Sequence, residues 1–176
     1  MTELLRTERL LLRHWTPADL PAFFDIYSRD EVTRWLGPQP RAPLATIDAA
    51  DRRLARWREV QLEPPLGLWA VVPLGATAPV GTCLLMPLND AQGATGETEI
   101  GWHLHPDHQG RGYATEAAAG ILTRTDSLPR VLALTDPDNL PSQAVANRLG
   151  MHDDGLTDRW FGLTTRQFSL DLQAKQ

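Results

Sequence analysis

The chain has 176 residues, 42 % of them hydrophobic and 22 % charged, the proportions of one globular domain able to bury roughly 70 % of the surface its unfolded form exposes. Its net charge is −5, and 16 of its 17 basic residues are arginine, Lys175 being the single lysine; this argues against non-specific nucleic-acid binding and suits a cationic or amine ligand. No apolar run is long enough to span a bilayer and the N-terminus lacks a signal peptide's apolar core, while a lone cysteine, Cys83, permits neither an intrachain disulfide nor a thiolate cluster. No membrane contact is expected, and the cytoplasm is the default address.

Arg6 to Trp15 reads as a first strand with a run of leucines. Thr16-Pro17-Ala18-Asp19 then starts a helix, with a threonine cap, proline in the first helical position and an acid to complete a capping box. Leu20, Phe23, Phe24 and Tyr27 follow at helical spacing and are expected to be buried. Residues 34–43 are loop. A second helix, from Thr46 to about Val60, is expected to bury Ile47, Ala50, Leu54 and Trp57 and to turn Arg52, Arg53, Arg56 and Arg58 to water as a solvated stripe. Leu68 to Val72 and Val80 to Met86 read as a hairpin, and a polar loop from Asn89 to Gly96 leads into a strand over Glu99 to Leu104.

After that strand and a turn at Pro106-Asp107-His108, Gln109-Gly110-Arg111-Gly112-Tyr113-Ala114 opens a helix. Two glycines leave the backbone clear where the first helical N–H groups have no partner in the chain, so this mouth suits a phosphate or pyrophosphate. A P-loop would need a lysine that is absent, and a dinucleotide fingerprint would need a third small residue at Thr115. The same glycines would also serve a plain tight turn. Ala114, Ala117, Ala118, Ile121 and Leu122 share one face of the helix, small enough to approach a sheet closely. Val131 to Thr135 reads as a strand covered on both faces. Leu140 to Leu149 reads as a helix capped by Asn139 and stopped by Gly150, and Leu156 to Phe161 and Arg166 to Leu172 as the last strands.

The expectation is one α+β domain over residues 1–176 with a mixed sheet. His103, His105 and His108, with Asp107, invite a metal; no fourth ligand is evident, so none is expected, and they read as a polar rim with His103 an auxiliary base at most. Trp15, Trp57, Trp69 and Trp102 read as core.

Gln109-x-x-Gly112-x-Ala114 resembles the signature of the GNAT superfamily of acetyl-CoA-dependent N-acetyltransferases. Further islands resemble its RimJ/RimL-type branch: Arg6-Thr-Glu-Arg-Leu-Leu-Leu-Arg13, Trp35-Leu-Gly-Pro38, Glu99-Ile-Gly-Trp102, Gly112-Tyr-Ala-Thr-Glu-Ala117, Asn139-x-x-Ser142 and Leu149-Gly-Met151. The branch commonly has tryptophan where this chain has Gln109, and residues 116–131 are a few shorter than usual.

The resemblance implies a central sheet with two splayed middle strands flanked by helices, and acetyl-CoA as cosubstrate without a metal. Gln109, Gly110, Arg111, Gly112, Tyr113, Ala114 and Thr115 would seat its diphosphate. Trp102, His103, Leu104, Asn139 and Ser142 would line its arm, with a backbone N–H near Trp102 to Leu104 as oxyanion donor. Glu99 would be the general base, a surface glutamate being the plain alternative, and Ser142 the acid for the thiolate, a first-turn serine being the plain alternative. Glu99 and Trp35 would line the acceptor site. The acceptor would be a protein N-terminal α-amine, as of ribosomal proteins, or a small amine such as an antibiotic or polyamine. A non-catalytic acyl-CoA sensor and a homodimer stay open.

Overall fold

The computed structural model describes residues 3–37 and 40–172, with backbone alone for Glu3 and Leu4; Pro38 and Lys175 lie outside the described residues. Eight strands form one sheet in the order β1-β2-β3-β4-β5-β6-β8-β7. They are β1 (Glu3–Arg6), β2 (Leu10–His14), β3 (Gly67–Pro73), β4 (Gly81–Asp90), β5 (Gly93–Leu104), β6 (Arg130–Thr135), β7 (His152–Thr157) and β8 (Thr165–Asp171). Every neighbouring pair is antiparallel except β5 and β6, which are parallel. The helices are α1 (Leu20–Tyr27), α2 (Asp30–Thr33), α3 (Ile47–Glu59), α4 (Tyr113–Leu122) and α5 (Leu140–Arg148).

Strand residues alternate between two covered faces. Leu10, Leu12, Trp69, Val71, Ile100 and Leu104 point into a core shared with Ala117, Ala118 and Ile121 of α4 and Val145 and Ala146 of α5. Leu11, Ala70 and Val72 point the other way, against Phe23, Ile26 and Tyr27 of α1 and Ala50 and Leu54 of α3. The sheet is therefore the middle of three layers, with α4 and α5 on one side and α1 and α3 on the other.

Several expectations need correcting. The first strand is two, because Thr7 closes a turn inside it: its N–H donates to the Leu10 carbonyl at 2.9 Å and its Oγ1 accepts from the Leu10 N–H at 3.1 Å. The stretch from Asn89 to Gly96 is a hairpin end rather than a loop, with Asn89 opposite Ala94 and Asp90 opposite Gly93. The second-last strand begins four residues earlier than expected, at His152. Its polar residues are held across the strands, Asp153 by Arg166 and Asp154 by Gln167 and Ser169. Trp160 and Phe161 instead belong to the β7–β8 turn, where Trp160 is fully buried against Leu88 and Leu132. In α1 the buried face includes Ile26, with Leu20 and Phe24 only partly covered. In α3 Ile47 is exposed, and Arg53 turns inward. Trp57 and Trp102 are partly buried, whereas Trp15 and Trp69 are core as expected.

Candidate active site

The parallel pair is the opening in the sheet. β5 and β6 meet only at Glu99 opposite Leu132, whereas β6 pairs with β8 along its whole length. An ion pair between Glu97 and Arg130 pins the closed end. Beyond Glu99 the edge of β5 that faces β6 has no ladder partner, and backbone groups left so must be satisfied by something else. A cleft of about 420 Å3 occupies this gap, and Trp35, Arg53, Glu99, Trp102, His103, Asn139 and Ser142 are among its lining residues. Of the residues expected in the site, these six apart from Arg53 are thus brought together. Leu104 and the turn from Gln109 to Thr115 are not in the cleft wall; they form a second place, at the end of β5.

There the chain passes through a 3-10 turn over Pro106–His108 into α4. Gly110 and Gly112 have φ of +71° and +80°, the left-handed region that glycine enters without strain. A Cβ on Gly110 would meet nothing within 4 Å, so the backbone is approachable from outside. Gly112 caps the helix with no side chain, and among the described residues nothing accepts from the N–H groups of Gly110, Arg111 or Gly112. The Thr115 hydroxyl is buried there and also lacks a partner among the described residues. Gln109 does not point at this mouth alone: its Nε2 donates to the Leu104 carbonyl at 3.1 Å and ties the turn to the strand.

Arg9, outside every expected site residue, holds the mouth in place. It donates to the Arg111 carbonyl at 3.0 Å, pairs with Glu116 at 2.7 Å and lies over the Tyr113 ring at 5.2 Å. Glu116 also accepts from the Thr7 hydroxyl at 2.6 Å and from the Arg9 N–H at 2.8 Å. Burial would raise its carboxyl pKa, but these bonds hold it below its ordinary value. Tyr113 packs, partly buried, against the core beneath the turn.

Within the cleft the two faces of β5 separate two jobs. Trp102 lies on the α4–α5 side, and its indole N–H donates to Ser142 Oγ at 3.1 Å. Asn139 Oδ1 accepts from the Ser142 N–H at 3.2 Å, so the cap of α5 fixes the serine, and both residues line the cleft. Glu99, Gly101 and His103 lie on the α1–α3 side by strand alternation. Burial without any hydrogen bond or ion pair among the described residues pushes the Glu99 carboxyl up to about 8. His103 bonds the Tyr27 hydroxyl through Nδ1 at 3.1 Å, and that hydroxyl also bonds Thr82 Oγ1 at 2.6 Å. Burial, helped by the charge of Arg53, pushes His103 down to about 3, so its imidazole is neutral at ordinary pH. Trp35 lines the mouth of the cleft under the Arg34 guanidinium, 5.0 Å from its centroid. Arg41 clips this loop to the end of β6 through Asp136 at 2.5 Å.

The histidines go separate ways. His105 is buried beside Asp25 at 3.3 Å, and its Nδ1 accepts from the Asp107 N–H at 3.2 Å. The buried Nδ1 of His108 has no hydrogen-bond partner among the described residues. The described residues contain no group of three or more ligating side chains placed to hold a metal ion, and no helix among them is long and apolar enough to cross a membrane. Cys83 is fully buried and its thiol is pushed up to about 12, which removes it as a nucleophile.

The sequence matches the Acetyltransferase (GNAT) domain family over residues 9–152. Over 157 residues it is 27 % identical to the uncharacterized N-acetyltransferase p20 of Bacillus licheniformis, a span of 88 % of this chain and 85 % of the relative. The solved GNAT-family acetyltransferase from Bacillus anthracis has a TM-score of 0.77 at 22 % identity, over 96 % of this chain and 98 % of that one. RimL, the ribosomal L7/L12 alpha-N-protein acetyltransferase, solved with coenzyme A, has a TM-score of 0.75 at 15 % identity, over 96 % and 97 % of the two chains. At these identities both structures speak for the shared fold.

Proposed function

The chain belongs to the GNAT acetyltransferase family and is an N-acetyltransferase, and we propose that its acceptor is the N-terminal α-amine of a peptide or protein, attacked directly on acetyl-CoA. The observation that carries the reading is Glu99: a carboxyl with no partner among the described residues, at the point where β5 and β6 part, with its pKa raised to about 8. Proton transfer is most efficient between groups of similar pKa. An α-amine titrates near 7.7–8.0 and a lysine-type amine near 10.4, so the α-amine is the easier of the two for a carboxylate to deprotonate. RimL, which shares the fold, is named for an alpha-N-protein acetyltransferase, and that likeness supports the same acceptor class.

The site fits coenzyme A. The clear backbone at Gly110 and the N–H groups of Gly110 to Gly112, without acceptors among the described residues, suit a diphosphate. Asn139 and the free edge of β5 suit an extended arm that pairs like a strand. What acetyl-CoA supplies when bound is a reactive acetyl thioester. Glu99 then takes the proton of the incoming ammonium, directly or through a water, and a backbone N–H of β5 near Trp102 to Leu104 donates to the developing oxyanion. Ser142 already accepts the Trp102 indole N–H, so its hydroxyl can act as a relay, giving its proton to the departing sulfur and regaining the second proton that the nitrogen sheds as the amide forms.

A panel of acceptors, followed by thiol release and product mass, tests this. Peptides with free N-termini should be acetylated on the α-amine, while N-terminally blocked peptides bearing lysine should not. Turnover confined to polyamines or aminoglycosides would replace this acceptor with a small amine.

A further inference from the structure

Arg53 occupies the acceptor side of the cleft and has no carboxylate partner among the described residues. It shares a face of α3 with Ala50, Leu54 and Trp57, at helical spacings of three and four residues. Its guanidinium lies 5.0 Å from the Tyr27 ring centroid and 5.4 Å from that of Trp57. These rings offset part of the cost of holding a cation in partly buried surroundings and fix its position. They do not use its hydrogen-bond donors, and arginine keeps its charge wherever it is placed.

Two acids line the same cleft, Asp136 and Glu99. Asp136 is taken by Arg41. Among the described residues Glu99 has no hydrogen-bond or ionic partner, and no ion pair joins it to Arg53. The cleft thus holds a proton acceptor and a separate cation on one side of the sheet, each without an ionic partner among the described residues. Arg53 sits near His103, whose imidazole it helps keep neutral. His103 and Glu99 are four residues apart on one strand, roughly 13 Å at about 3.3 Å per residue.

We infer that Arg53 is an anion subsite of the acceptor site, and that the preferred acceptor is a peptide whose third or fourth residue is Asp or Glu. An extended peptide with its α-amine at Glu99 advances about 3.3 Å per residue, so a side-chain carboxylate at those positions reaches the guanidinium. The pairing would be charge-assisted and bidentate. This rests on the proposed peptide α-amine acceptor. A carboxylate at the C-terminus of a tri- or tetrapeptide offers the same chemistry from a second source.

The test compares C-terminally amidated heptapeptides carrying a single Glu at position two, three, four or five with their Gln counterparts, and adds a free-acid tetrapeptide. The wild-type protein should show a KM about tenfold lower for Glu than for Gln at position three or four, and a smaller difference at two and five. Arg53→Gln should bring the Glu/Gln ratio of kcat/KM to about one, and Arg53→Lys should keep part of it. Coenzyme A affinity at the wild-type level certifies that each variant is folded. Equal KM values for Glu and Gln peptides in the wild type, or a preference that survives Arg53→Gln, would overturn the subsite while leaving the α-amine acceptor in place. A preference confined to the free-acid tetrapeptide would overturn the side-chain assignment. If no peptide of either kind is acetylated, the acceptor reading fails and the subsite with it.

Discussion

The mouth of α4 and the proposed acceptor side of the cleft flank the same strand, β5, yet they are made of different material. The mouth is backbone: left-handed glycines at 110 and 112 and N–H groups with no acceptor among the described residues. The acceptor side is side chains: Trp35, Arg53, Glu99 and His103, drawn from a loop, a helix and a strand far apart in sequence. A backbone site tolerates little change of residue type at its glycines and is nearly indifferent to what its other side chains are. A side-chain site can be retuned one residue at a time without disturbing the strand that carries it. On the proposed function, the fold separates a fixed grip on coenzyme A from an adjustable choice of amine.

If that separation holds, damage to the mouth should be severe and should fall on cofactor affinity. Gly112→Asp puts a side chain at φ +80° with its Cβ about 3.2 Å from Arg9 Nη2, and an anion where a diphosphate should sit. Coenzyme A affinity, read by calorimetric titration, should fall at least about 100-fold, since strain, lost access and like-charge repulsion act together. Gly112→Ala, which adds no charge, should lose less. Wild-type affinity in Gly112→Asp would sink the assignment of the mouth.

Damage to the other side should spare affinity and strike turnover. Glu99→Gln should lower kcat by about 100-fold or more, with coenzyme A affinity within about twofold of wild type. The wild-type kcat/KM should rise with pH through about 8 as Glu99 ionises, and the variant should keep only the limb that belongs to the amine. The same residue makes a stability prediction of opposite sign. The unfolded chain releases the Glu99 proton near 4.5, the folded one near 8, so wild-type stability falls as pH rises between those values. Allowing for partial exposure, Gln should therefore gain about 2 kcal/mol over Glu at pH 8–9 relative to pH 4, seen as a higher Tm. An unchanged pH–rate profile in Glu99→Gln would remove it as the base.

How much of this was legible in the sequence follows the same division. Gly110, Gly112, the small face of α4, the Asn139 cap and Gly150 announce themselves locally, because caps and left-handed turns are set by residues within a few positions of each other. Reading the gap between β5 and β6 needed the family likeness as well. Arg9 with Glu116, Arg41 with Asp136, and Arg53 over Tyr27 were not legible. Each joins segments separated by 107, 95 or 26 positions, and nothing near either partner marks it as half of a pair. Arg53 was misplaced for a physical reason: four arginines on one short helix look like a wet face, and the two rings that receive one of them belong partly to another helix. Trp160 was missed because a polar turn hid a fully buried side chain.

A crystal structure of the protein grown with coenzyme A bears most directly on all of this. The diphosphate oxygens should lie within hydrogen-bond distance of N–H groups between Gly110 and Ala114, and the thiol end should lie between the parted strands beside Glu99 and Leu132. A diphosphate bound elsewhere, or β5 and β6 paired along their full length with the thiol outside the cleft, would contradict it.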